Sequence, residues 1–189
     1  MIVNEIAHYM ALVPLAVLGG LHARGRERDA AWWWMACAFA ISWVADSVAS
    51  QLVPVHRWAV TLVYPIVQSA MIGVVLLSRR AAFVLLGGLV AIGCLAVFWR
   101  GVKGPDVILH SVASLSVAGI VWIRRDIPLR LRMALVVYFG LGLVAWLLFA
   151  QQHSIPTWYG YQGARLAGLL VFSWAVLKPG PSLRVLHTL

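Results

Sequence analysis

The sequence predicts an all-α fold: a polytopic membrane helix bundle of about seven transmembrane helices, N-terminus outside and C-terminus cytoplasmic. Three observations carry that expectation. Of 189 residues, 62% are hydrophobic and only 11% are charged, with a mean hydropathy of +0.89; a soluble domain carries roughly 25% charged residues. The apolar residues gather in runs of about 20, the length that crosses ~30 Å of hydrocarbon. The basic residues lie between those runs and mostly on one side of the implied membrane.

Taken in order, the first helix is expected over Glu5–Leu21. It lacks the basic start of a cleavable signal peptide and is therefore expected to be retained. The arginine-rich stretch His22–Asp29 separates it from a second helix, Ala31–Val53, which Pro54–His56 closes. The third runs over Arg57–Ser78 and the fourth over Ala81–Trp99, with Arg79 and Arg80 between them. After Arg100–Pro105 the fifth covers Asp106–Ile123, and after Arg124–Arg130 the sixth covers Leu131–Ala150. A loop, Gln151–Trp158, leads to the seventh, Tyr159–Leu177. Residues 1–189 thus read as a single domain with a short cytoplasmic tail, 178–189.

Charge sets the orientation. Arg24, Arg26, Arg28, Arg79, Arg80, Arg124, Arg125, Arg130, Arg132, Lys178 and Arg184 fall on one side; Arg57, Arg100, Lys103 and Arg165 fall on the other. Basic residues accumulate in cytoplasmic loops, so the richer side is the cytoplasm. A net charge of +9 in a soluble protein would point to nucleic acid. Here the arginines are membrane anchors, and no nucleic-acid partner is expected. Trp32, Trp33, Trp34 and Trp122 at inner ends, and Trp58, Trp99 and Trp158 at outer ends, fit headgroup-level belts. Cys37 and Cys94 lie in apolar runs without CxxC spacing and read as small apolar residues.

Polar side chains are costly in lipid, so their depth is informative. Glu5 and His8 open the first helix; Ser42, Asp46 and Ser50 recur every four residues on the second. Arg57, Thr61, Tyr64 and Gln68 share a face of the third, and Asp106, His110 and Ser114 a face of the fifth. Tyr161, Gln162 and Arg165 open the seventh. Each stripe occupies the outer half of its helix. Helices one, two, three, five and seven are therefore expected to line a shared outward-facing cavity. The fourth, and the sixth with little beyond Tyr138, are expected to face lipid more fully.

The candidate ligand-binding residues are Asp46, Arg165, Gln68, His110, Tyr64 and Gln162. Asp46 is set inside its span and must be paired, protonated or at the interface; Arg165 is its natural partner. Their pairing is either purely structural or part of a binding or proton-relay site. Glu5–His8 and Asp106–His110 are acid–histidine couples at helical spacing. His8, His110 and Glu5 are the candidate metal set, with zinc the metal that such ligands suit. No cofactor is otherwise called for, and a bis-histidine haem is the least favoured option.

A shift of one hundred residues lays helices one to three over five to seven. Gly19 meets Gly119, Arg24 meets Arg124, Gln51 meets Gln151 and Trp58 meets Trp158. That is the pattern of a 3+1+3 parallel repeat of the kind transporters use. Three known seven-helix families share this topology, and the sequence departs from each. Microbial rhodopsins need a lysine midway along the last helix, where this chain has only Lys178 at its inner end. SWEET-type sugar transporters carry a Pro-Gln signature that is absent here. Alkaline-ceramidase-like hydrolases use a late His-x-x-x-His pair, where this chain has Gln162 and Arg165.

The function expected from these features is binding or transport of a small solute, ion or lipid headgroup at the outer side. The first alternative is a metal-dependent intramembrane lipid hydrolase, with zinc-bound water as nucleophile. The second is a non-catalytic accessory subunit of a larger membrane complex, with partner subunits or a homo-oligomer packed through glycines such as Gly87, Gly88, Gly93, Gly140 and Gly142. The expected location is the plasma (inner) membrane of a bacterium.

Overall fold

A computed structural model describes residues 6, 8–26, 28–51, 54–100, 105–125, 127–152 and 154–178. It is all-α, with seven helical rods and no strand among the described residues. These are α1 (Val13–His22), α2 (Ala30–Gln51), α3 (Pro54–Leu76), α4 (Arg79–Arg100), α5 (Pro105–Ile123), α6 (Leu129–Gln152) and α7 (Ile155–Leu177). Among the described residues one helix, α6, is both long and apolar enough to cross a membrane.

Local chemistry explains the boundaries. Pro14 sits in the first turn of α1, where a missing N–H costs nothing. Gly25 follows α1 at φ 68°, a left-handed conformation that glycine adopts without strain. Ser78 receives the N–H of Ala81 at 3.4 Å and so caps the start of α4. Ser154 receives the N–H of Thr157 at 3.4 Å, with Pro156 in the turn that follows. That cap starts α7 at Ile155, four residues before the apolar run begins, and shortens the expected loop Gln151–Trp158. His56, expected in an outer loop, falls instead in the first turn of α3, and His153 lies outside the described residues.

Six rods form a closed ring in the order α1, α2, α3, α5, α6, α7, with α7 returning to α1. The remaining rod, α4, packs outside the ring against α3 and α5. The ring is thus two consecutive three-helix units joined by α4. Arg28 donates from Nε to the Val176 carbonyl at 3.0 Å and from Nη2 to the Lys178 carbonyl at 3.3 Å. Arg124 donates from Nη1 to the Leu76 carbonyl at 2.9 Å. These bonds gather the α1–α2, α3–α4 and α5–α6 junctions and the end of α7 at one end of the ring, here the basic end.

The apolar core fills the half of the ring nearest that end. Leu21, Trp32, Met35, Leu76, Val121, Leu131, Phe172 and Val176 belong to one buried cluster. Phe39 meets the rings of Tyr138 at 4.8 Å and Phe172 at 4.9 Å, both edge to face, a geometry worth about 0.5–1.5 kcal/mol beyond the area buried. The outer surface is also apolar. Phe83 (72% exposed), Val84, Leu95 and Phe98 (89%) cover α4, while Leu115, Trp122, Val144 and Leu170 lie exposed on the ring helices. Buried polar side chains, by contrast, include Ser42, Gln68, Ser69, Ser114, Gln162 and Ser173.

Within α6, Val136–Leu141 adopts a π-helical turn between two α-helical stretches, Leu129–Leu135 and Gly142–Gln152. A π turn absorbs one extra residue and is frequently found at functional sites. α7 lies hard against it. A Cβ placed on Gly168 would stand 2.5 Å from Tyr138 Cβ, 2.7 Å from its Cα and 2.8 Å from its backbone N. Only glycine permits that approach.

Candidate functional site

Tyr64 and Gln68 lie one turn apart on α3, either side of Pro65, and both point into the half of the ring away from the basic end. The Tyr64 hydroxyl is 3.2 Å from His110 Nδ1. The Tyr161 hydroxyl is 3.2 Å from His110 Nε2. α5 therefore holds His110 between a tyrosine of α3 and a tyrosine of α7. A neutral imidazole donates at one nitrogen and accepts at the other, so one tyrosine donates to the ring and the other accepts from it.

A second knot lies beside the first. The Tyr138 hydroxyl accepts from Arg165 Nε at 3.2 Å and from Gln68 Nε2 at 3.4 Å. Gln68 Nε2 also donates to the Ala38 carbonyl at 3.1 Å, which ties α2 to the site. With its oxygen accepting twice, Tyr138 keeps its own O–H to donate. The Arg165 guanidinium lies 5.7 Å from the Tyr138 ring centroid and 5.5 Å from that of Tyr161, within cation–π range of both. Arg165 thereby links the two knots.

An aromatic wall backs the cluster. Trp146 of α6 packs on the rings of His110 and Tyr161, each at 5.1 Å, and Trp158 and Phe149 extend the wall. The Trp146 indole N–H is buried without a hydrogen-bond partner among the described residues, as is the Ser111 hydroxyl next to His110. An unmet buried donor costs about 1–3 kcal/mol, and it is a group that an incoming acceptor would satisfy.

Of the residues singled out from the sequence, Tyr64, Gln68, His110 and Arg165 come together in this cluster. Gln162 is buried beside Tyr161 on α7 but makes no hydrogen bond with the cluster among the described residues. Asp46 is in α2, with its side chain outside the described ones; Glu5 lies outside the described residues altogether. His8 joins a different set: its Nε2 is 3.3 Å from Ser47 Oγ, and its ring packs on Trp43 at 5.6 Å. Among the described residues no group of three or more His, Cys, Asp or Glu side chains is placed to hold a metal. Both nitrogens of His110 already face tyrosine hydroxyls, so ligation there would first displace one of them.

The sequence pattern missed α6. Its Tyr138 and Trp146 are central to the site, although that helix is expected to face lipid. At 100° per residue they stand about 80° apart on a regular α-helix. The residue absorbed by the π turn rotates them back towards one face. A paired Tyr–Trp signal exists in the sequence but shows only once the π turn is known.

No family model matches this chain, and no curated protein or solved structure is significantly similar to it.

Proposed function

We propose that the chain is a multi-pass protein of the plasma (inner) membrane. In this reading it binds or transports a small acceptor-rich solute, or a lipid headgroup of like chemistry, at the Tyr64–His110–Tyr138–Tyr161–Arg165 cluster. The observation that carries the proposal is the meeting of polar side chains from α3, α5, α6 and α7 inside a ring whose outer surface is apolar. Such an arrangement suits lipid outside and a polar ligand within. The gathering of Arg28, Arg124 and the end of α7 at one end supports the orientation read from the charges, with that end cytoplasmic.

The cluster favours an acceptor-bearing, anionic ligand group. Arg165 brings the positive charge, and Trp146 N–H and Tyr138 O–H are donors directed at no carbonyl or carboxylate among the described residues. Gln68 gives its amide N–H groups to Ala38 and Tyr138 and so positions Tyr138, which leaves its amide oxygen for a ligand donor. The hydrolase alternative has no assembled ligand set among the described residues in its support.

Purified protein in detergent, titrated with a panel of carboxylates, inorganic phosphate and glycerophosphates and followed by tryptophan fluorescence, tests the reading. Binding is expected for at least one of them, weakened 10-fold or more by Arg165→Ala and by Tyr138→Phe, which removes the free O–H. Binding that neither substitution alters would make the proposal untenable.

A further inference from the structure

The ring is closed twice, by the same device. Arg28, in the α1–α2 junction two residues before α2, caps the C-terminal carbonyls of α7. Arg124, just after α5, caps that of α3. α1 and α5 open their three-helix units, and α3 and α7 end them. Each unit's arginine thus reaches across to the last helix of the other unit. The carbonyls taken, Leu76 and Val176, are one hundred residues apart, the shift at which the two halves of the sequence overlay.

Other contacts recur at shifts close to one hundred. His8 of the first unit packs on Trp43 at 5.6 Å, and His110 of the second on Trp146 at 5.1 Å. Trp43 and Trp146 each bury an indole N–H without a partner among the described residues. Trp43 follows His8 by 35 residues and Trp146 follows His110 by 36; the extra residue is the one that the π turn of α6 absorbs. At the basic end, the second helix of each unit is tied to the third: Trp34 Nε1 donates to the Met71 carbonyl at 2.9 Å, and Arg130 lies 4.8 Å over the Trp174 ring. α3 meets α5 as α7 meets α1.

From this symmetry we infer that the protein moves its ligand rather than only holding it: the two three-helix units rock against each other, and Arg28 and Arg124 are paired latches that keep the basic end shut. This deepens the membrane-binding reading and rests on it. Cations at helix C-termini are favoured by the exposed carbonyls and the helix dipole. Both latches join a flexible side chain to a helix end, so they can release without unfolding either unit. Behind them, Leu76, Val121 and Val176 are fully buried in the apolar core. The polar cluster sits in the opposite half. Parallel repeats that rock about a site at their interface are a known route to alternating access.

The test reads access from the cytoplasmic side. Val121→Cys is placed in a background carrying Cys37→Ser and Cys94→Ser, and inverted membrane vesicles are treated with a membrane-impermeant maleimide. Labelling is expected to be slow in the parent. It should be at least 10-fold faster with R28A and R124A together, and intermediate with R28K and R124K, which keep the charge but lose the planar fork. Equal rates in all three overturn the inference, and so does loss of folded protein in both pairs, because the arginines would then be plain structural ties. Arg125→Cys, exposed at the basic end, is the control. If it labels in intact cells and not in inverted vesicles, the orientation reading fails, separately from the latch.

Discussion

Tyr138 shows how much one hydroxyl can organise. It accepts from Gln68 and Arg165 at once and so joins α3, α6 and α7. Tyr138→Phe removes that acceptor from the buried Gln68 amide and the half-buried Arg165 Nε. The expected loss is about 1–3 kcal/mol, read as a lowered melting temperature in detergent; an unchanged melting temperature would mean the donors find other acceptors. Gly168 makes the opposite point, since its importance lies in having no side chain. Gly168→Ala drives a methyl into the Tyr138 backbone, and overpacking of this kind costs about 1–3 kcal/mol. Gly163, with open space at its Cβ position, should accept alanine with no loss. The same thermal melt compares the two.

At the scale of elements, the π turn in α6 decides which residues face the site. Deleting Val137 would let the segment relax to a regular α-helix and turn Trp146 away from His110. The expected outcome is a protein with nearly unchanged helical circular dichroism but an altered tryptophan emission and at least 10-fold weaker ligand binding. Retained emission and binding would show that the π turn does not set the register. Helix ends follow simpler rules. Ser154, Ser78 and Gly25 mark starts and stops by hydrogen bonding and by backbone freedom, and all three are readable in the sequence. The length of α7 was not. Its apolar run begins after its first turn, and a cap is a local signal that a search for apolar runs passes over.

For the whole molecule, the distribution of polarity is the main fact. An apolar outer surface and a polar inner cluster reverse the arrangement of a soluble bundle. Val90, mid-way along α4 and 45% exposed, separates the two environments. In a bilayer, Val90→Arg should cost roughly 2.5–3.5 kcal/mol of insertion energy and lower the membrane-integrated yield several-fold. On a water-facing surface it would change stability by no more than about 0.5 kcal/mol. Fractionation of the expressed variant distinguishes these. The position of α4 outside the ring is what makes the comparison clean, because Val90 can be changed without touching the site.

Composition and spacing by themselves determined the all-α class, the number of rods and the segregation of arginines to one end. They also picked out Tyr64, Gln68, His110 and Arg165. Those properties depend on how residues repeat along single helices, and a helix's period is fixed by its own backbone. What required the tertiary structure is everything that depends on how the helices are turned towards one another. His110 and His8 have the same sequence signature but join different neighbours, so no joint metal set forms among the described residues. α6 enters the site through one π turn, and Arg28 and Arg124 cap helices of the opposite unit. One absorbed residue rotates a helix by about 100°, enough to exchange an outward-facing side chain for a site-facing one. No pattern along a single segment records that rotation.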